Sequence, residues 1–104
     1  MKEPVRKVGT LKILGHFVEV YEDDNLINDR SAYGEWIYRK LYIAIDGSTV
    51  RPVQQEKLWH EIIEAINEMD ELNLNHHQIQ SLATALYQIT NDNDIYLFLK
   101  RVTV

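Results

Sequence analysis

The stretch from Lys57 to Ile66 constrains the fold most strongly, because its apolar residues recur at helical spacing. On a helix that turns about 100° per residue, one side collects the apolar residues Leu58, Trp59, Ile62, Ile63, Ala65, Ile66 and Met69. The opposite side carries the polar residues His60, Glu61, Glu64 and Asn67. Pro52 precedes this stretch, and proline is tolerated in the first turn of a helix. The sequence therefore predicts an amphipathic helix over residues 53–71, which must bury its apolar side against other elements.

The polar side of this helix has the spacing of a zinc-peptidase signature with one letter changed. In H-E-x-x-H, two histidines four residues apart bind zinc, and the glutamate after the first activates a water molecule. Here Glu64 stands at the second histidine position, and carboxylate oxygen is also an acceptable zinc ligand. The pattern predicts metal ligands at His60 and Glu64 and a general base at Glu61. In the competing interpretation, the three side chains are only the solvated face of an amphipathic surface helix.

Composition excludes several other classes of protein. A chain of 104 residues with 45% hydrophobic content predicts one domain, residues 1–104, with a single modest core. The net charge of −5, without clustered Lys and Arg, argues against nucleic-acid and anionic-membrane partners. The absence of cysteine excludes thiol catalysis and leaves histidine and carboxylate as the conventional transition-metal ligands. No apolar run approaches transmembrane length and no signal region is present, so a cytoplasmic location is expected.

The N-terminal half predicts a small antiparallel sheet. Residues 8–20 favour strand around a turn at Gly15 and His16, which indicates a hairpin. A polar, turn-rich loop follows over residues 22–34. Alternating β-forming residues then predict a strand over 36–46, and the turn-forming residues after it end that strand.

A second helix follows the first after a short connection. Asn75 is a good N-cap, and Gln78 completes a capping-box pattern, which predicts a helix over residues 75–90. Residues 95–104 are compatible with either strand or helix. The fold class is therefore α+β, with the antiparallel sheet packed on two helices. We expect the residues buried between the helices and the sheet to include Leu58, Ile62, Ile66, Ile79, Leu82 and Leu86.

A zinc site needs a third protein ligand, and the second helix offers His76 and His77. His76 falls beside Ala83 and Tyr87 at the edge of the apolar stripe, so it is predicted to face the first helix. His77 lies about 100° further round, toward solvent. His76 is therefore the candidate third ligand, although an ordinary polar residue at a helix N-terminus is the alternative.

Two blocks, H-E-I-I-E-A-I-N at residues 60–67 and E-L-N-L-x-H at residues 71–76, resemble a known family. They are similar to the small predicted zinc metallopeptidases of phages and prophages, which carry H-E-I-I-H-A-I or H-E-I-I-E-A-I after a short antiparallel sheet. The resemblance extends from residue 34 to residue 93. It implies a minimal zincin-like fold, one zinc ion held by His60, Glu64 and His76, and catalysis by Glu61. It also implies a peptide or protein substrate in the cytoplasm of a bacterial host.

Two other functions stay open at the level of sequence. One is a catalytically inactive phage accessory protein that keeps the zincin scaffold and binds another protein, for which the acidic surface suits a basic partner. The other is a homodimer without any site. In such a dimer, the residues that anchor the interface would be Trp36, Tyr38, Tyr42 or Trp59.

Overall fold

Four strands form one sheet, and two long helices follow the sheet along the chain. A computed structural model describes residues 5–94. The elements are β1 Val5–Ile13, β2 His16–Asp23, α1 Leu26–Arg30, β3 Gly34–Ile37, β4 Tyr42–Ile45, α2 Arg51–Met69 and α3 His76–Asp92. The α+β class predicted from the sequence is confirmed. The segment 95–104, which the sequence left open between strand and helix, lies outside the described residues.

The N-terminal hairpin is present and is longer than predicted. β1 and β2 pair antiparallel, with Ile13 opposite His16. The two residues between them, Leu14 and Gly15, both have positive φ, at 48° and 86°. A two-residue turn in which both residues have positive φ has a twist that matches the twist of the paired strands. The hairpin therefore reverses one residue earlier than the Gly15–His16 turn that the sequence predicts.

The sheet is mixed, which corrects the prediction of an antiparallel sheet. Its strand order is β1-β2-β4-β3, and β2 runs parallel to β4, with Val20 opposite Ile43. β3 pairs antiparallel with β4, with Trp36 opposite Ile43 from the other side. The segment after β2 carries the chain past the position of β4 to the far edge, and β4 then returns between the two strands. Alternation in the sequence predicts strands but does not say which strands pair.

The single strand predicted over residues 36–46 is two strands. A 3₁₀ turn at Tyr38–Lys40 separates β3 from β4, and Leu41 completes the reversal with φ of 48°. A left-handed conformation is uncommon for leucine and is usually signalled by glycine or asparagine. Because the sequence has leucine at this position, nothing in it predicts the reversal. The predicted loop also contains the short helix α1, whose Leu26 is fully buried.

Both long helices are confirmed within two residues of their predicted ends. The capping box at the start of α3 is formed, since the Asn75 side chain accepts from the Gln78 backbone and the Gln78 side chain accepts from the Asn75 backbone. In the connection, the backbone N–H of Leu74 donates to the side chain of Asn67 at 2.8 Å. None of the described helices is long and apolar enough to cross a lipid bilayer.

Helix α2 lies between the sheet and α3, so it packs on two sides. The sheet side buries Ile13, Val18, Val20, Ile43, Ile45 and Ala65, with Leu58, Ile62 and Ile66 partly buried against them. The α3 side buries Ile63, Ile79 and Ala83, with Trp59, Leu74 and Leu86 partly buried against them.

The prediction that Leu82 belongs to the core is wrong, because Leu82 is 45% exposed. On α3, Leu82 lies about 60° from Ile79, on the side away from Ala83. The face of α3 that contacts α2 therefore centres on Ile79 and Ala83 and extends toward Gln80 rather than toward Leu82. This rotation of the helix determines which polar residues of α3 reach the polar side of α2.

Candidate functional site

His60 and Glu61 are buried, although they lie on the polar side of α2. His60 and Glu61 are each only 7% exposed to solvent. The first turns of α3 cover His60, and β3 covers Glu61. The interpretation of this side as a fully solvated helix face is therefore wrong for these two residues. Glu64 is partly buried, and His76 is exposed.

His60 is the residue around which the site is arranged. Its Nε2 atom lies 3.5 Å from Oε2 of Glu64, one helical turn further along α2. Its ring centroid lies 5.3 Å from that of His76, with the two rings tilted by 55°. Its Nδ1 atom lies 3.0 Å from Oε1 of Gln80. His60, Glu64 and His76 border one cleft, whose remaining lining residues are Gly34, Glu35, Trp36, Glu61 and Glu68.

The described residues contain no group of three or more His, Cys, Asp or Glu side chains that is positioned to hold a metal ion. Donor atoms that bind one zinc ion lie about 2.0–2.2 Å from it and are therefore close to each other. The 3.5 Å distance between Nε2 of His60 and Oε2 of Glu64 is compatible with two ligands of one ion. His76 begins α3 and is exposed, and its ring packs beside that of His60. Within the described residues, His76 does not complete a three-ligand set with this pair.

Glu61 is the buried acid of the cleft. The pKa of Glu61 is raised to about 7, chiefly by burial and also by the negative charges of Glu64 and Glu35, against a smaller lowering by Lys57. Within residues 5–94, its carboxylate makes no hydrogen bond and no ion pair. A carboxyl group with a pKa near neutrality can both accept and release a proton at physiological pH.

Strand β3 forms the wall of the cleft opposite α2. It is an outer strand of the described sheet, because only β4 lies beside it. The indole N–H of Trp36 donates to Glu68 of α2 at 2.8 Å, and Arg30 of α1 donates to both carboxylate oxygens of Glu35 at 3.0 Å. These contacts tie β3 to α2 and to α1 on either side of the cleft.

Two residues of the site were missed from the sequence. Gln80 is four residues after His76 and therefore shares its side of α3, so the argument that selected His76 also applies to Gln80. Gly34 has no such signal, because its role depends on how closely β3 approaches α2. The other histidine of the pair, His77, is exposed on α3.

Comparison of the chain with protein-family models, with curated proteins and with solved structures finds no match. The resemblance to phage-encoded zinc metallopeptidases therefore depends on its two sequence blocks and stays a prediction.

Proposed function

We propose that this protein is a zinc-dependent hydrolase, and specifically a peptidase of the phage and prophage type that acts in a bacterial cytoplasm. Its metal ligands are His60, Glu64 and His76, and its general base is Glu61. The observation that carries the proposal is that Glu61, which is buried and has a pKa of about 7, lies beside the His60–Glu64 pair in a single cleft.

The donor set suits zinc. Zinc prefers imidazole nitrogen and carboxylate oxygen in sites of three protein ligands and one open position. His60 and Glu64 supply one donor of each kind at 3.5 Å from each other. His76 lies beside them at the first residue of α3, with its ring packed beside that of His60. Zinc bound there would polarise a substrate carbonyl and lower the pKa of a water molecule.

Glu61 moves the proton. Its raised pKa of about 7 allows it to take a proton from the attacking water and to give that proton to the leaving amine. Glu61 lies in the wall of the cleft under β3, where its carboxylate is largely shielded from bulk solvent. It directly follows His60, the first proposed ligand, in the sequence.

The substrate class follows from β3. An outer strand beside a cleft can hold an extended peptide by adding it to the sheet. No strand of residues 5–94 pairs with the side of β3 that faces away from β4. A peptide placed along β3 would pass Glu35 and Trp36 and reach the polar side of α2.

Substitution of the base tests these roles. We expect Glu61→Gln to keep zinc and to abolish hydrolysis of a quenched fluorescent peptide library, because the change removes the proton acceptor and no ligand. Glu68→Gln is the matched control, since Glu68 lines the same cleft and glutamine still accepts from Trp36. Loss of zinc in Glu61→Gln would make Glu61 a ligand and refute the assignment. A zinc-loaded wild-type protein without any hydrolytic activity would favour the inactive, partner-binding alternative.

A further inference from the structure

Gln80 connects α3 to two residues of α2 through its side-chain amide. Its Oε1 atom lies 3.0 Å from Nδ1 of His60. Its Nε2 atom donates to Oε1 of Glu56 at 3.0 Å and to Oγ1 of Thr84 at 3.2 Å. Every polar atom of this amide therefore has a partner, and the two partners on α2, Glu56 and His60, are about one helical turn apart.

The carboxylate of Glu56 determines which way the amide points. An ionised carboxylate only accepts hydrogen bonds, so the amide group facing Glu56 must be the NH2. The carbonyl oxygen of Gln80 then faces His60, and a carbonyl oxygen only accepts. The Nδ1 atom of His60 must therefore carry the hydrogen. In a neutral imidazole with hydrogen on Nδ1, the lone pair is on Nε2.

We propose that Gln80 is a positioning residue that holds His60 as the Nδ1–H tautomer and so directs the Nε2 lone pair toward Glu64. This lone pair faces a carboxylate oxygen 3.5 Å away, and two facing acceptors repel each other unless a positive charge lies with them. A proton or a metal ion supplies that charge. The consequence for zinc rests on the proposed function, whereas the tautomer itself does not.

Long-range ¹H–¹⁵N NMR of the metal-free protein measures the tautomer directly. In the neutral ring we expect Nδ1 of His60 to carry the hydrogen and Nε2 to be unprotonated. Gln80→Ala should remove this preference, because nothing then accepts from Nδ1. Gln88→Ala is the matched control, since Gln88 is an exposed glutamine of the same helix that contacts Asp92 instead. Hydrogen on Nε2 in the wild-type protein would overturn the proposal.

An exchange of the two side chains separates a hydrogen-bonding role from simple packing. Glu56→Gln alone should allow the Gln80 amide to turn over and give a mixture of tautomers. The double variant Glu56→Gln with Gln80→Glu should restore the Nδ1–H form, because the new amide at position 56 donates and the new carboxylate at position 80 accepts from His60. A double variant that stays mixed would contradict the proposal.

Zinc affinity reports the consequence for the site. We expect Gln80→Ala to weaken zinc binding by about 10–100-fold, as is typical for partners that orient a ligating histidine, and the double variant to recover it. An unchanged affinity in a variant whose tautomer has shifted would overturn the positioning role. Correct tautomers in a wild-type protein that binds no zinc would support the hydrogen-bond chain and refute the proposed function, so the two failures are distinguishable.

Discussion

Gly34 lies so close to Glu61 that a Cβ atom added to Gly34 would stand 3.1 Å from both Cγ and Oε2 of that glutamate. The same atom would stand 3.1 Å from Cδ1 of Ile45. A Cβ at these distances would be tighter than most ordinary contacts, so glycine lets β3 approach α2 without displacing the Glu61 side chain. The contact removes water from the Glu61 carboxylate, and burial is the main cause of its raised pKa of about 7.

Gly34→Ala should therefore disturb both Glu61, the proposed general base, and the stability of the fold. The new methyl group must push the Glu61 side chain or β3 by a few tenths of an ångström. We expect the proposed hydrolysis to fall roughly 10-fold, because small misplacements of reacting groups are costly, and stability to fall by about 1–3 kcal/mol. Steady-state kinetics and denaturant unfolding measure the two effects. In the control variant Gly9→Ala, the added Cβ meets nothing within 4 Å, so both quantities should stay near wild type. Full activity in Gly34→Ala would show that the close contact has no catalytic role.

The pH dependence of stability reports the environment of Glu61 in the metal-free protein. Its pKa in the folded state is about 7, against 4.5 in the unfolded chain, so the folded state binds the proton more tightly. This group therefore makes the protein less stable as pH rises between those two values. Glu61→Gln cannot ionise, so it should match wild type below about pH 4 and exceed it by about 3 kcal/mol above about pH 8. Denaturant unfolding across this range gives the comparison, and parallel curves for the two proteins would contradict the assignment.

The rotation of α3 makes a prediction about its apolar residues. Ile79 is 2% exposed and Leu82 is 45% exposed, although both belong to the apolar stripe of the sequence. We expect Ile79→Ala to lower the free energy of unfolding by about 2–4 kcal/mol and Leu82→Ala to lower it by less than about 1 kcal/mol. Chemical denaturation of the two variants measures the difference. Equal losses would mean that α3 is turned the other way, and Gln80 would then not reach His60.

The periodicity of the sequence predicts the helices well and the sheet only in part. Apolar spacing and the Asn75 capping box determine α2 and α3, because both signals are local. The division of residues 36–46 depends on the left-handed Leu41, which no local preference predicts. The parallel pairing of β2 with β4 depends on the path of the whole N-terminal half.

The candidate site shows the same division between local and long-range information. The spacing of His60 and Glu64 on one helix is enough to bring them together. The angular position of His76 indicates that it faces the first helix, but its approach to His60 depends on how the two helices cross. The burial of Glu61 could not be predicted, because its helix position is polar and its cover comes from β3. The role of Gln80 depends on Glu56, which lies 24 residues away in sequence.

Calorimetric titration of zinc into metal-free protein, purified without a histidine tag, tests the metal site most directly. We expect the wild-type protein to bind one zinc ion with micromolar or tighter affinity. His60→Ala and His76→Ala should lose this binding, since each removes a proposed ligand. His77→Ala should keep it, because His77 is the exposed neighbour of His76 and has no place in the cleft. Absence of zinc binding by the wild-type protein, or an equal loss in His77→Ala, would contradict the proposed site.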